Sequence, residues 1–189
     1  MKYKTYNMKK TVLTLIIAGL ALSASAEISI DDVVSNSFRG NSANSFTPMA
    51  DGEHYLISTG KCIVRYSFKT GNAVDTLFNV ETVRGTRLES IDGYILSPKE
   101  DRILIQSGHN RIFRNSYSAD YYIHHIANNK MEPLSTGGPQ QAPMFSPDGN
   151  VIAFVRDGNI FLVKLLFNNA EVQVTKDGET GRILNGVPD

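Results

Sequence analysis

Three short apolar runs, His54–Ser58, Arg102–Gln106 and Val151–Val155, each follow a turn of similar composition. The turns are Thr47-Pro48-Met49-Ala50-Asp51-Gly52, Ser97-Pro98-Lys99-Glu100-Asp101 and Ser146-Pro147-Asp148-Gly149, and their prolines lie 50 and 49 residues apart. Runs this short, bounded by Pro, Gly and Asp, predict buried strands. Four more strands are predicted over Cys62–Ser67, Tyr121–His125, Asn159–Lys164 and Glu171–Thr175. Asp157-Gly158 is a two-residue hairpin signal, and Thr70-Gly71-Asn72, Asn128-Asn129 and Asn168-Asn169 mark further reversals. Short strands recurring at a period near 50 residues predict an all-β fold, the first three or so blades of a β-propeller.

The second repeat is longer than the others. From the repeat proline to the second reversal is 23 residues in the first unit (Pro48 to Gly71), 21 in the third (Pro147 to Asn168) and 31 in the second (Pro98 to Asn129). About ten residues are therefore inserted within Ser107–Ser118, which predicts a loop on a binding face. Propellers usually close with about 4–8 blades. A three-bladed, incomplete propeller leaves an open edge, so either several copies close a ring or the chain is part of a longer protein, and the second is the expectation.

The N-terminus has a different pattern. A basic opening, MKYKTYNMKK, precedes an apolar stretch from Thr11 to Leu22 and then Ala24-Ser25-Ala26, the arrangement of a secretory signal peptide cleaved before Glu27. The apolar stretch is too short for a membrane span of roughly 20 residues, so no stable membrane anchor is expected. The expected location is exported, periplasmic or extracellular. Residues 27–38 predict a short helix, with Ser29 as N-cap, Asp31 and Asp32 at the positive end of its dipole, and Ile30, Val33 and Val34 on one face. The organisation is then 1–26 signal peptide, 27–46 helix and linker, and 47–189 partial propeller.

The charge balance changes once that leader is set aside. The chain is formally neutral, but the first 26 residues hold Lys2, Lys4, Lys9 and Lys10 and no acid, leaving 15 basic against 19 acidic residues. A mildly acidic remainder lacks the basic footprint of a nucleic-acid binder. The single cysteine, Cys62, excludes an internal disulfide and is expected as a small core residue. His124 and His125 are adjacent in a predicted strand, which points one inward and one outward and argues against shared metal ligation. No Gly-x-Ser-x-Gly, His-Glu-x-x-His or cysteine pair is present, so neither a nucleophile elbow nor a metal or cofactor site is expected.

One constellation remains. Arg111 and Arg114 fall within the insertion, beside Phe113, Tyr117, Tyr121 and Tyr122. A guanidinium held among rings offers several N–H donors in fixed orientation to a carbonyl or carboxylate. The same composition also suits an arginine stacked on tyrosines to hold the loop.

The segment Arg114-Asn115-Ser116-Tyr117-Ser118-Ala119-Asp120-Tyr121-Tyr122-Ile123 resembles the R-[HN]-S-[YF]-[TS]-A-x-Y-x-[IV] segment of the dipeptidyl peptidase IV family, prolyl-specific serine exopeptidases. ISIDDVV, DGEHYL at 51–56, FSPDGNVIAFVRDGNIFL at 145–162, QVTKDGE at 173–179 and ILNGVPD at 183–189 extend the resemblance over 27–189. It implies an eight-bladed propeller joined to an α/β-hydrolase domain with a Ser-Asp-His triad. A peptide substrate would be held by its free N-terminus on a pair of glutamates, releasing a dipeptide with proline or alanine second. Arg114 is the one substrate-binding residue the resemblance carries over, holding a substrate carbonyl near the amino end. The family's glutamate pair follows a segment like the one ending at Asp189, so this chain is expected to be an N-terminal fragment without catalytic residues and inactive alone. Dimerisation is common in the family and relies on other parts. The alternative is an exported, non-catalytic propeller that binds peptides or proteins, or a truncated product without function.

Overall fold

The computed structural model describes residues 29–35, 45–114, 116–179 and 181–187. The predicted leader 1–26 lies outside them, as do residues 36–44 of the predicted helix end and linker. The chain divides between Ala43 and Asn44 into two units. In the first, helix α1 (Ile30–Val34) has Ser29 as N-cap, as its sequence predicts. Asp32 does more than complement the dipole: its carboxylate accepts from the Ser29 amide at 3.0 Å while the Ser29 hydroxyl accepts from the Asp32 amide at 3.1 Å. This reciprocal pair is a capping box.

The second unit is three antiparallel sheets in chain order. The first contains β1 (Thr47–Pro48), β2 (His54–Ser58), β3 (Cys62–Ser67) and β4 (Ala73–Asn79), paired in that order. The second contains β6 (Gly93–Leu96), β7 (Arg102–Arg111), β8 (Tyr117–His125) and β9 (Lys130–Pro133), with β5 (Arg84–Gly85) added parallel to β9 at its edge. The third contains β10 (Gln141–Phe145), β11 (Val151–Arg156), β12 (Asn159–Lys164) and β13 (Ala170–Gln173). These are three successive blades of a partial β-propeller, as the repeat predicts.

The blade frame begins one strand before the frame read from the turns. Each Pro-containing turn joins a first strand to a second, so β1, β6 and β10 precede the apolar runs. These first strands escape a pattern reading because they are short or irregular: β10 contains Pro143, shifts register between Gln141 and Met144, and has Ala142 at φ +46°. The turn serines act alike. The Ser97 hydroxyl accepts from the Arg102 amide at 3.1 Å, and the Ser146 hydroxyl from the Val151 amide at 3.0 Å, each starting the next strand.

Reversal chemistry follows the sequence closely. Asp157 and Gly158, at φ +51° and +69°, close β11 onto β12 with Arg156 opposite Asn159. Positive φ at both central residues is what a twist-matched two-residue hairpin needs. Asn129 and Asn168 hold left-handed backbone after single turns of 3₁₀ helix at Ile126–Asn128 and Leu165–Phe167.

The core lies between the sheets. Met49, Leu56, Ile63, Phe78, Ile103, Ile105 and Met131 pack between the first and second. Leu104, Ala119, Tyr121, Ile123, Ile152, Phe154, Phe161 and Val163 pack between the second and third. Ile103, Leu104 and Ile105 are all 0% exposed, because alternate residues of β7 face opposite neighbours. Cys62, expected in the core, opens β3 at an intermediate depth, outside the apolar cluster. Equivalent turns also touch: the Ala50 amide donates to the Glu100 carboxylate at 2.5 Å, and Lys99 Nζ to Asn150 Oδ1 at 3.1 Å. Those separations of 50 and 51 residues are the sequence period made physical.

Candidate functional site

The insertion of the second repeat is mostly strand. A loop was expected over Ser107–Ser118, but β7 continues to Arg111 and β8 begins at Tyr117, with the connecting tip between them. Here the two strands continue beyond the buried Ile-Leu-Ile stretch as a paired arm. Backbone pairing satisfies their polar groups, so polar side chains on both faces do not end the ladder. The tip is closed by the Ile112 and Phe113 amides, which both donate to the Ser116 carbonyl, at 2.9 and 3.1 Å.

The arm is bent where the ladder slips. Ser107 pairs with Asp120 and Asn110 with Ser118, so Gly108 and His109 together oppose Ala119. Gly108 sits at φ +71°, the conformation a glycine supplies at a bulge. Beyond the bulge, His109, Arg111, Phe113, Arg114, Ser116 and Tyr117 line an open depression of about 280 Å³. Arg111 Nε donates to the Phe113 carbonyl at 3.2 Å, and no other described residue engages its terminal nitrogens. Arg114 is exposed, and its guanidinium makes no hydrogen bond or ion pair with another described residue. Two guanidiniums and no carboxylate line the depression, so it favours a carbonyl or carboxylate oxygen.

The structure brings together some predicted residues and separates others. Arg111, Phe113, Arg114 and Tyr117 share the depression. Tyr121 and Tyr122 do not: they lie further along β8, opposite Gln106 and Ile105. Tyr121 is buried between the second and third sheets, and burial, with the Tyr117 hydroxyl beside it, pushes its phenol well above the usual range. Tyr122 is also pushed up, by burial and then by the Asp120 charge. The ring stacked on Tyr117 belongs to His109, at 4.3 Å between centroids and 30° between planes, rather than to an arginine.

Three residues at the base of the arm were not singled out from the sequence. The Asp92 carboxylate accepts from the His109 amide at 3.0 Å. Gln106 approaches both stacked rings, with Nε2 3.4 Å from His109 Nδ1 and Oε1 accepting from the Tyr117 hydroxyl at 3.5 Å. Gln140, almost wholly buried, accepts from the Tyr121 amide at 3.0 Å, and its backbone pairs with Ala119. None of the three carries a sequence signal: Gln106 lies opposite Tyr121 in the ladder, and its reach to Tyr117, like the contacts of Asp92 and Gln140, needs the fold. The two histidines behave as predicted. His124 is buried with Nε2 donating to Asn129 Oδ1 at 3.1 Å, while His125 meets Glu132 at 3.3 Å on the other face.

Comparison with known proteins follows the same outline. Residues 97–189 match the family described as the dipeptidyl peptidase IV (DPP IV) N-terminal region. The chain is 30% identical over 165 residues to the human prolyl endopeptidase FAP, an alignment covering 86% of this chain and 21% of that protein. It is 36% identical over 104 residues to a probable dipeptidyl peptidase 4 of Aspergillus fumigatus, covering 53% of this chain and 13% of the relative. The crystal structure of Porphyromonas gingivalis dipeptidyl peptidase 4 superposes with a TM-score of 0.75 at 38% identity, over 87% of this chain and 24% of that one. The chain thus spans about a fifth of the length of the curated relatives it matches over most of its own length. With the Arg114 segment inside the matched residues and three blades of the matching architecture, the chain belongs to the dipeptidyl peptidase IV family, as part of its N-terminal propeller region.

Proposed function

We propose that this chain is the opening, propeller-side portion of an exported serine exopeptidase that removes Xaa-Pro dipeptides from peptides with a free N-terminus. Within it, Arg114 orients the substrate. The observation that carries this reading is the Arg114 guanidinium itself, exposed at the tip of a projecting arm, unpartnered among the described residues, and within the family-matched segment. A guanidinium in that state donates to a substrate carbonyl without first breaking a bond of its own. Its contribution is orientation and charge-assisted hydrogen bonding, not bond cleavage. The glutamate pair and the Ser-Asp-His triad of the family would be supplied by sequence outside these 189 residues. The basic, apolar and small-residue pattern of 1–26 supports export.

The test is steady-state cleavage of an Xaa-Pro chromogenic amide by a full-length enzyme carrying this region. Arg114→Ala should lower kcat/KM by about 10- to 150-fold, the equivalent of about 1.5–3 kcal/mol for a hydrogen bond to a charged group. An unchanged kcat/KM would remove Arg114 from substrate binding.

A further inference from the structure

We infer that Asp92 is a positioning residue for Arg114, acting through the bulge at the base of the arm; this rests on the substrate-orienting reading of Arg114. A bulge places two residues opposite one, so one backbone amide loses its ladder partner. Here the two residues are Gly108 and His109, opposite Ala119. The His109 amide is not left open, because the Asp92 carboxylate, from the residue before β6, accepts from it at 3.0 Å. The Ser107 hydroxyl donates to the Ser90 carbonyl at 3.3 Å, a second tie between the same two segments.

The direction of the arm is set beyond that point. His109 stacks on Tyr117 at 4.3 Å, and Gln106 contacts both side chains. The strands of the arm are thereby joined by their side chains across the slip in register, and the joined unit is pinned to the body of the second sheet through Asp92. The tip holding Arg114 begins three residues after His109, at Ile112. A rotation at the bulge would therefore swing the guanidinium away from any fixed substrate position. Bulges recur beside functional sites because they re-aim side chains in this way. Asp92 makes no claim on the substrate. Its role is to make one arm direction the preferred one, which removes an ordering cost from binding.

The experiment uses a full-length enzyme carrying this region, so that the groups holding the peptide's amino end are present, with Asp92→Ala and Asp92→Asn variants, because Asn keeps an acceptor oxygen and Ala does not. Two readouts are taken by NMR: amide hydrogen exchange over 109–118, and the Arg114 Nε resonance during titration with alanyl-prolinamide. In Asp92→Ala, exchange over the arm should rise at least tenfold while Ile152–Val163 keeps its protection, which also establishes that the variant folds. The concentration of alanyl-prolinamide needed for half the Arg114 shift should rise at least fivefold in Asp92→Ala and stay within twofold of wild type in Asp92→Asn. Unchanged arm exchange in Asp92→Ala overturns the brace. Faster exchange with an unchanged titration overturns the positioning role and leaves the reading of Arg114 standing. If the wild-type Arg114 resonance does not respond to the peptide, the substrate-orienting reading falls, and the positioning role falls with it.

Discussion

The rings of His124 and Phe78 meet edge-on with centroids 5.0 Å apart, so an ionisable side chain lies wholly buried where the first and second sheets join. With Nε2 donating to Asn129, Nδ1 is the bare acceptor, and it has no hydrogen-bond partner. A proton added there would place a charge in the core with nothing to receive it. Burial holds the His124 pKa below the ordinary 6.5, the His125 charge adds to the effect, and the Asn129 bond opposes it. The folded-state value is therefore the lower one. Stability from a neutral His124 is complete above pH 6.5 and is lost as pH falls towards the folded value, by at most about 1.4 kcal/mol per pH unit. Urea midpoints measured from pH 7 to 5 should decline, and His124→Phe should flatten that decline. An equally steep profile in the variant would exclude His124 as its source.

Arg156 ties the third sheet to the segment that leads into it from the second. Its guanidinium donates to Ser135 Oγ and to Glu171 Oε1, both at 2.6 Å, and lies 4.1 Å from the Phe161 ring centre. Burial raises the Glu171 pKa, but the bonds from Arg156 and Ser135 and the Arg156 charge outweigh it and leave it lowered. Arg156→Ala should cost about 1–2 kcal/mol in urea unfolding, since it removes charge-assisted bonds and the packing on Phe161, while the exposed Glu171 keeps its bond from Ser135. Arg156→Lys should recover less than half, because an ammonium cannot serve two acceptors in a fork while lying flat on a ring. Full recovery by lysine would show that charge alone matters.

Gly85 has two reasons to be glycine. Its φ is +99°, and a Cβ there would collide with the Met131 carbonyl that faces it across the β5–β9 pairing. Gly85→Ala should cost about 2–3 kcal/mol, a backbone clash added to conformational strain. Gly52→Ala is the control. Its φ of +68° is strained for alanine but open space surrounds it, so it should cost about 1 kcal/mol. Equal costs would mean that the β5–β9 approach contributes nothing.

At Arg114, lysine separates charge from geometry. In a full-length enzyme, Arg114→Lys should retain part of the kcat/KM lost in Arg114→Ala, because it keeps a donor cation but not the planar fork. A lysine variant as weak as alanine would assign the whole effect to guanidinium geometry.

Much of this architecture could be read in the chain, and the parts that could not share a cause. Reversals at Asp157-Gly158, Gly71 and Asn129 were visible because left-handed backbone selects few residue types. The apolar runs of β2, β7 and β11 were visible because burial between sheets demands them. The arm was read as a loop because Ser107–Arg111 is polar, and composition reports burial rather than pairing. Asp92 and Gln140 act on the arm and its base from 17 and 19 residues away, through contacts that exist only once the sheets are assembled. Arg114 was found through its segment, whereas its lack of a partner among the described residues is knowable only in three dimensions.

The two-sided burial of β7 has a consequence for how the molecule comes apart. Ile103 and Ile105 couple the second sheet to the first, and Leu104 couples it to the third, so adjacent residues of one strand govern separate nearest-neighbour terms. In a linear array of repeats, cooperativity is the sum of such terms. Truncating Ile103 would release the first sheet while the other two unfold together. Truncating Leu104 would release the third. One strand thus decides where a two-state transition splits into steps, and the side of the break is chosen by a shift of a single residue.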